Sequence, residues 1–312
     1  MSILTPSRTV SSPSSISALQ QQLADHDYIA DAGLATSIYL ALKLNRPLLL
    51  EGEAGVGKTE VAKVLATTTG TEIIRLQCYE GLDITHAVYD WNYARQLIEI
   101  RVAEGQGDAT QTRDERVQEL FGTDFLIERP LLQALRTQSD QPVVLLIDEL
   151  DRADEEFEGY LLEFLSDFQV TIPELGTVKA STPPIVIITS NRTRELHDAL
   201  KRRCLYAWID YPDFEKELRI VRTKVPGASR ALAEQVTRFV QELRRAELYK
   251  ATGVSETLDW VAALVALDQQ ELDAVTIERT LGIVLKNQED MQNIRGDRIQ
   301  DILNRAKSPA AQ

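Results

Sequence analysis

The sequence predicts an α/β fold, a parallel five-stranded sheet flanked by helices with a small all-helical domain behind it, on three observations. Five short runs are almost wholly apolar: Pro47 to Glu51, Glu72 to Cys78, Pro142 to Ile147, Pro184 to Ser190 and Cys204 to Asp210. That is the pattern of strands buried on both faces. Helical segments lie between the runs, which is the alternation parallel strands need for their crossovers. Beyond Tyr211 and Pro212 the strand signal stops and apolar residues recur at three- and four-residue steps.

Taken in order, residues 1–16 are rich in Ser, Pro and Thr without a hydrophobic period and are expected to form a flexible leader. A helix from about Ser17 to Leu44 follows, broken near Asp25 to Tyr28. Residues 102–118, VAEGQGDATQTRDERVQ, are polar and contain glycine, which predicts an exposed, mobile insertion. Residues 169–180 alternate apolar and polar around Pro173 to Gly176, which predicts a hairpin. In the last third, Leu232, Val236, Phe239, Val240 and Leu243 make one amphipathic stripe, and Leu258, Val261, Leu264 and Val265 make another. Gly253 is expected to end the first of these helices and Ser255 to cap the second. These readings place an α/β domain at 17–211 and a helical domain at 212–312 that frays after Lys307.

A length of 312 residues suits about two domains. With 44% hydrophobic and 26% charged residues the chain can bury a sizeable core. The net charge of −14 opposes tracking along nucleic acid or anionic membrane, where affinity comes from clustered cations, so no nucleic-acid partner is expected. No run approaches the roughly 20 apolar residues of a transmembrane segment. The opening MSILTPSRTVSSPSS lacks the pattern of a secretory signal, and a cytoplasmic location is expected. Cys78 and Cys204 each sit in an apolar run and read as small buried hydrophobes. His26, His86 and His197 are scattered, without the spacing of metal ligands.

Four motifs carry chemistry. The first is GEAGVGKT, which follows the strand LLLE and precedes a helix. Gly52, Glu53, Ala54, Gly55, Val56, Gly57, Lys58 and Thr59, with Glu60 opening the helix, satisfy the spacing and the flanks of a phosphate-binding loop. Backbone N–H groups would surround the phosphates of ATP, Lys58 would set a cation on the β and γ oxygens, and the Thr59 hydroxyl would ligate Mg2+. The glycine spacing differs from a dinucleotide fingerprint, and Lys58 puts a cation where that motif has none. The second motif, VVLLIDEL, ends a buried strand in two carboxylates: Asp148 for the metal and Glu149 as the base toward the attacking water. The third, IVIITSN, ends another strand in Asn191, whose amide can orient water and touch a γ-phosphate, or simply cap the next turn. The fourth, DALKRRCLY, sets Arg202 and Arg203 before the fifth strand, as a solvated basic cluster or as an arginine finger offered to a neighbouring molecule. Tyr89, Trp91 and Tyr93 sit two apart and would line one side of an extended segment, packing on their own domain or meeting a partner.

These motifs in this order, followed by a helical domain, resemble the AAA+ ATPases. DELDRADEEFEGYLLEFLSDFQVTIPELG and TSNRTRELHDALKRRCLYAWIDYPD look like the MoxR family, and RLQCYEGLD with VYDWNYARQL looks like its CoxD-type subgroup. The resemblance runs over roughly residues 30–290. It implies a sheet order of 5-1-4-3-2, a helical lid over the nucleotide, and a ring of identical subunits, usually a hexamer, with sites between protomers. It makes Lys58 and Thr59 the Walker A pair, Asp148 and Glu149 the Walker B pair and Asn191 sensor 1, with Arg203 the first choice for the finger and Arg202 the alternate. It also has Gln77 restraining the catalytic glutamate and Arg152 facing the neighbouring subunit. Many lids of this class carry an arginine, sensor 2, where this chain has Thr257, so sensor 2 stays unassigned. The resemblance further implies a chaperone-like ATPase with a von Willebrand factor A domain partner, acting on a client protein or metalloenzyme; CoxD-type members are associated with the metal centre of carbon monoxide dehydrogenase. A nucleotide-gated scaffold with slow or no turnover is the alternative.

Overall fold

The structure is a computed structural model that describes residues 13–106, 112–137, 141–246 and 248–307. Most of the expected leader, the middle of the expected insertion (107–111) and the end beyond Lys307 lie outside the described residues. The chain forms two compact units. One comprises residues up to 19, 32–51 and 62–207; the other comprises 20–31, 52–61 and 208–312.

Nine strands occur among the described residues: β1 (Leu48–Gly52), β2 (Ile73–Gln77), β3 (Tyr89–Trp91), β4 (Leu126–Glu128), β5 (Val144–Asp148), β6 (Gln169–Ile172), β7 (Gly176–Lys179), β8 (Ile185–Ser190) and β9 (Leu205–Ile209). The five expected apolar runs form one parallel sheet in the order β2-β5-β8-β1-β9. Counting only these five in chain order and starting from β9, the arrangement is 5-1-4-3-2, as expected. It differs in detail because two small antiparallel pairs, β3-β4 and β6-β7, are interpolated. Strands β1 and β5 are buried throughout, whereas β2, at the edge, alternates and exposes Arg75. Register aligns the strand ends: Gln77 lies beside Asp148 and Glu51 beside Ser190. The core of this unit gathers Leu49, Leu145, Ile147, Leu131 and Phe164.

The N-terminal helix is broken as expected, into Ile16–Asp25 and Ala32–Leu44. The hairpin at 169–180 is present, with Ile172 opposite Gly176. Where it is described, the insertion is mostly exposed, as expected, and it is helical. Residues 102–106 finish a helix, Tyr93–Gln106, and 113–118 belong to a second, Arg113–Leu120, started by a capping box between Thr112 and Glu115. The aromatic triplet is also divided. Trp91 is buried and meets the ring of Phe121 edge-on at 5.2 Å, and Tyr89 packs beside it. Tyr93 leaves the strand to open the helix and is 60% exposed.

In the second unit the expected stripes appear on Arg230–Arg245 and Val254–Ala266, where Phe239 and Trp260 meet at 5.4 Å in a fully buried core. The first of these helices ends at Arg245, well before Gly253. Ser255 is not the cap of the second: Gly253 holds the cap position, and the Ser255 hydroxyl is spent on another contact described below. Helices Phe214–Lys224, Ala274–Val284, Gln288–Ile294 and Asp297–Lys307 complete the bundle.

Candidate nucleotide site

The loop residues 52–59 fall in the second unit and the strand-end carboxylates in the first. In the loop, Gly55 and Gly57 adopt φ values of +76° and +96°, which glycine reaches without steric cost. Lys58 opens the helix Lys58–Thr69, is only 6% exposed, and donates from Nζ to the carbonyls of Gly52 (2.7 Å) and Glu53 (2.6 Å). A buried ammonium held by backbone at a helix N-terminus favours an anion there. Thr59 is the next residue of that first turn and Glu60 follows it.

The Gly55 carbonyl receives three donors from the start of the helix Val254–Ala266: the Val254 N–H (3.0 Å), the Ser255 N–H (3.2 Å) and the Ser255 hydroxyl (3.3 Å). Contact is so close that a Cβ on Gly253 would lie 2.9 Å from the Ala54 carbonyl oxygen. Beside this junction is a cavity of about 320 Å³. Tyr28, Ile29, Ile209, Pro212, Val254 and Leu258 give it apolar walls, and Gly55 and Gly57 border it. Burial pushes the Tyr28 hydroxyl well above the usual phenol range, with Asp31 and Glu60 adding to the effect, so it stays a neutral donor. A slot of this size and polarity next to a phosphate loop suits a flat base.

Thr257 is fully buried and donates to Glu217 Oε1 (2.9 Å) and the Gly253 carbonyl (3.1 Å), so it offers nothing to a nucleotide. Arg244, a nearby cation, is committed as well. Its fork is bidentate on Glu217 (2.6 and 2.7 Å), and its Nε donates to the Thr252 carbonyl at 2.7 Å. The pair is locked in the bundle interior, where removing one member costs about 3–5 kcal/mol.

In the first unit, the register of β2, β5 and β8 brings Asp148, Glu149, Gln77 and Asn191 together. Asp148 is 2% exposed and its Oδ1 accepts from the Thr189 hydroxyl at 2.6 Å, while Thr189 Oγ1 in turn accepts from the Glu149 N–H at 2.9 Å. Glu149 sits at φ +55°, ψ +49°, an uncommon conformation for a residue with a side chain. This turns its carboxylate to three donors: Gln77 Nε2 at 3.0 Å, Arg152 Nε at 3.1 Å and Asn191 Nδ2 at 3.4 Å. Arg152, expected to face a neighbouring subunit, makes this pair within its own chain while its side chain stays 56% exposed.

Two residues here escape sequence reasoning. Asp151, 2% exposed, accepts from the N–H groups of Asn191 (3.1 Å) and Thr193 (2.9 Å) and from the Thr193 hydroxyl (2.7 Å), pinning the Asn191 loop to the turn after β5. Burial raises its pKa, yet the bonds from Thr193 and Asn191 outweigh it and hold the carboxyl below the ordinary value. Arg75 on β2 donates to Asp148 Oδ2 through Nε (3.1 Å) and Nη2 (2.5 Å), and also to Gln77 Oε1. Its side chain alternates outward on an edge strand, and only the register reveals the partner.

Arg203 is half-buried and tied to the Ser166 hydroxyl (2.7 Å) and the Ala199 carbonyl (3.0 Å). Arg202 is exposed, and its guanidinium makes no ion pair among the described residues. Among those residues, no group of three His, Cys, Asp or Glu side chains could hold a metal ion alone. Magnesium is ordinarily held by one or two carboxylates together with phosphate oxygens, and a hard oxygen donor such as Asp148 fits that arrangement.

Cys78 and Cys204 are both buried and free. Burial, reinforced at Cys78 by the fields of Asp148, Asp151 and Glu149, pushes that thiol up to about 12. Burial also takes Cys204 to about 12, against the opposing charges of Arg46 and Arg203. The expected result is that the folded protein shows no fast-reacting thiol with a disulfide reagent at pH 8, and two after denaturation. A rapid stoichiometric reaction in native buffer would contradict this burial.

The AAA domain of the dynein-related subfamily matches residues 47–204. An uncharacterized protein of Staphylococcus haemolyticus is 25% identical over 266 residues, covering 81% of this chain and 89% of its own. One from Staphylococcus saprophyticus is 23% identical over 285 residues, covering 87% and 97%. Among solved structures, a RuvB mutant of Thermotoga maritima aligns over 87% of this chain and 72% of its own with a TM-score of 0.47 and 16% identity. The Thermotoga maritima RuvB Holliday junction branch migration motor aligns over 90% and 74% with a TM-score of 0.44 and 16% identity. The matched family region takes in the phosphate loop, both strand-end carboxylates and Asn191, and the chain therefore belongs to the dynein-related subfamily of AAA domains, a nucleotide-binding P-loop family.

Proposed function

We propose that the chain is a MoxR-type AAA+ ATPase that hydrolyses ATP with magnesium and works as a hexameric ring, with a von Willebrand factor A domain partner, to remodel or mature a client protein or metalloenzyme. The observation that carries hydrolysis is Glu149, turned by its backbone into a cluster with Gln77 and Asn191 beside the buried Asp148. In this reading the loop N–H groups and Lys58 hold the β and γ phosphates, and Thr59 and Asp148 serve the metal. Bound magnesium would draw charge from the phosphate oxygens. Glu149 takes the proton of the attacking water, and Asn191 orients that water. Arg202 and Arg203 are the finger candidates for a neighbouring subunit, Arg202 having the unpaired guanidinium. The MoxR assignment, its CoxD-type subgroup, the partner and the client rest on the sequence resemblance alone. Among the described residues no helix is long and apolar enough to cross a membrane.

The test is phosphate release and particle mass with saturating ATP and magnesium. Arg202→Ala and Arg203→Ala, made singly, are expected to lower turnover by about 10³-fold or more for the true finger. A protein that stays a single copy with nucleotide, and loses no turnover when both arginines are replaced, would sink the ring. The three donors on Glu149 also favour a second reading, a nucleotide-gated scaffold in which the base is held back.

A further inference from the structure

We propose that Arg75 is a positioning residue: its guanidinium stands at Asp148 in the place of a divalent cation, and it passes the arrival of that cation on to Glu149 through Gln77. This rests on the reading of Asp148 as the carboxylate that serves the metal.

The geometry is a continuous chain of hydrogen bonds. Arg75 gives both Nε and Nη2 to one carboxylate oxygen, Asp148 Oδ2. The same Nη2 donates to Gln77 Oε1, and the other end of that amide, Nε2, donates to Glu149 Oε2. The metal-serving carboxylate and the base are therefore linked through two side chains of the edge strand β2.

Exposure is unequal along this chain. The Asp148 side chain is 3% exposed, whereas that of Arg75 is 54% exposed. Arginine can withdraw into water at little cost, and the aspartate cannot. Two cations crowded on one oxygen repel, so Arg75 must yield when a divalent ion takes Asp148. Gln77 then loses the donor that fixes its carbonyl end, its amide can turn, and Glu149 is released toward water. Restraint of the base is thereby tied to an incomplete site.

Manganese, which shares the hard oxygen chemistry of magnesium, is the probe. Its binding to the full chain with a non-hydrolysable ATP analogue can be followed by electron paramagnetic resonance. Arg75→Met keeps the length and removes the charge. It is expected to tighten manganese binding about two- to fivefold, the worth of a partly exposed ion pair, with metal-free nucleotide affinity unchanged. Arg75→Lys should restore weak binding, which a purely structural role would not require. Equal manganese affinity in wild type and Arg75→Met overturns the proposal. Asp148→Asn separates the underlying reading: if it leaves manganese affinity unchanged, Asp148 does not serve the metal, and that reading fails with the proposal.

Discussion

Replacing Glu149 by glutamine is expected to cut ATP turnover by about 10²- to 10⁴-fold while nucleotide affinity stays within a few-fold of wild type. Glutamine has nearly the shape of glutamate, so the left-handed turn at 149 and the Thr189 contact to its N–H should persist. Basicity is what disappears. The amide cannot take a proton from water, and its single NH2 group must face a donor on one side, either Gln77 or Asn191, while its carbonyl oxygen keeps the other. Lys58, the loop glycines and the apolar cavity are untouched, which is why binding should survive. Steady-state phosphate release beside a fluorescent-nucleotide titration reads both quantities. Turnover equal in wild type and variant would instead favour the scaffold reading.

Gly52→Ala is expected to be strongly destabilising, its added Cβ making the shortest contact among the described glycines. Gly52 ends β1 at φ +156°, and a Cβ there would lie 2.1 Å from the carbonyl oxygen of Ile209, a backbone atom of β9 that cannot swing aside. Relief requires the loop entrance to move away from that strand. Overpacking of this kind costs about 3 kcal/mol or more. At about 2–4 °C per kcal/mol for a chain of this order, the melting temperature should fall by roughly 6–12 °C. Phosphate binding should be lost with it. Gly57→Ala is the control, since its φ of +96° is equally unsuited to alanine but the nearest atom, Tyr28 Cε2, is 4.0 Å from the added Cβ. That variant should pay only the backbone cost of about 1–2 kcal/mol. Equal melting points for the two variants would show that the approach to Ile209 is not the cause.

What the sequence made legible follows from the range of the forces involved. The phosphate loop is local: strand, glycines, lysine and helix lie within some twenty consecutive residues, so GEAGVGKT announces its own geometry. The five sheet strands were legible because burial on both faces leaves unbroken apolar runs. The extended stretch at Tyr89 and Trp91 was anticipated, but β4 and its pairing with β3 were not, because each strand is three residues long and its partner lies more than thirty residues away. Ser255 read as a cap because serine commonly caps helices, but the helix begins one residue earlier and the hydroxyl is drawn to Gly55. Asp151 and Arg75 look like ordinary surface charges in a string of letters. Their roles depend on which strand ends lie side by side, a fact of register that only the folded sheet supplies.

The three donors gathered on the Gly55 carbonyl have a mechanical meaning. They fasten the loop at one peptide to the N-terminus of a thirteen-residue helix. Displacing that peptide must therefore either carry the start of the helix with it or break three hydrogen bonds at once.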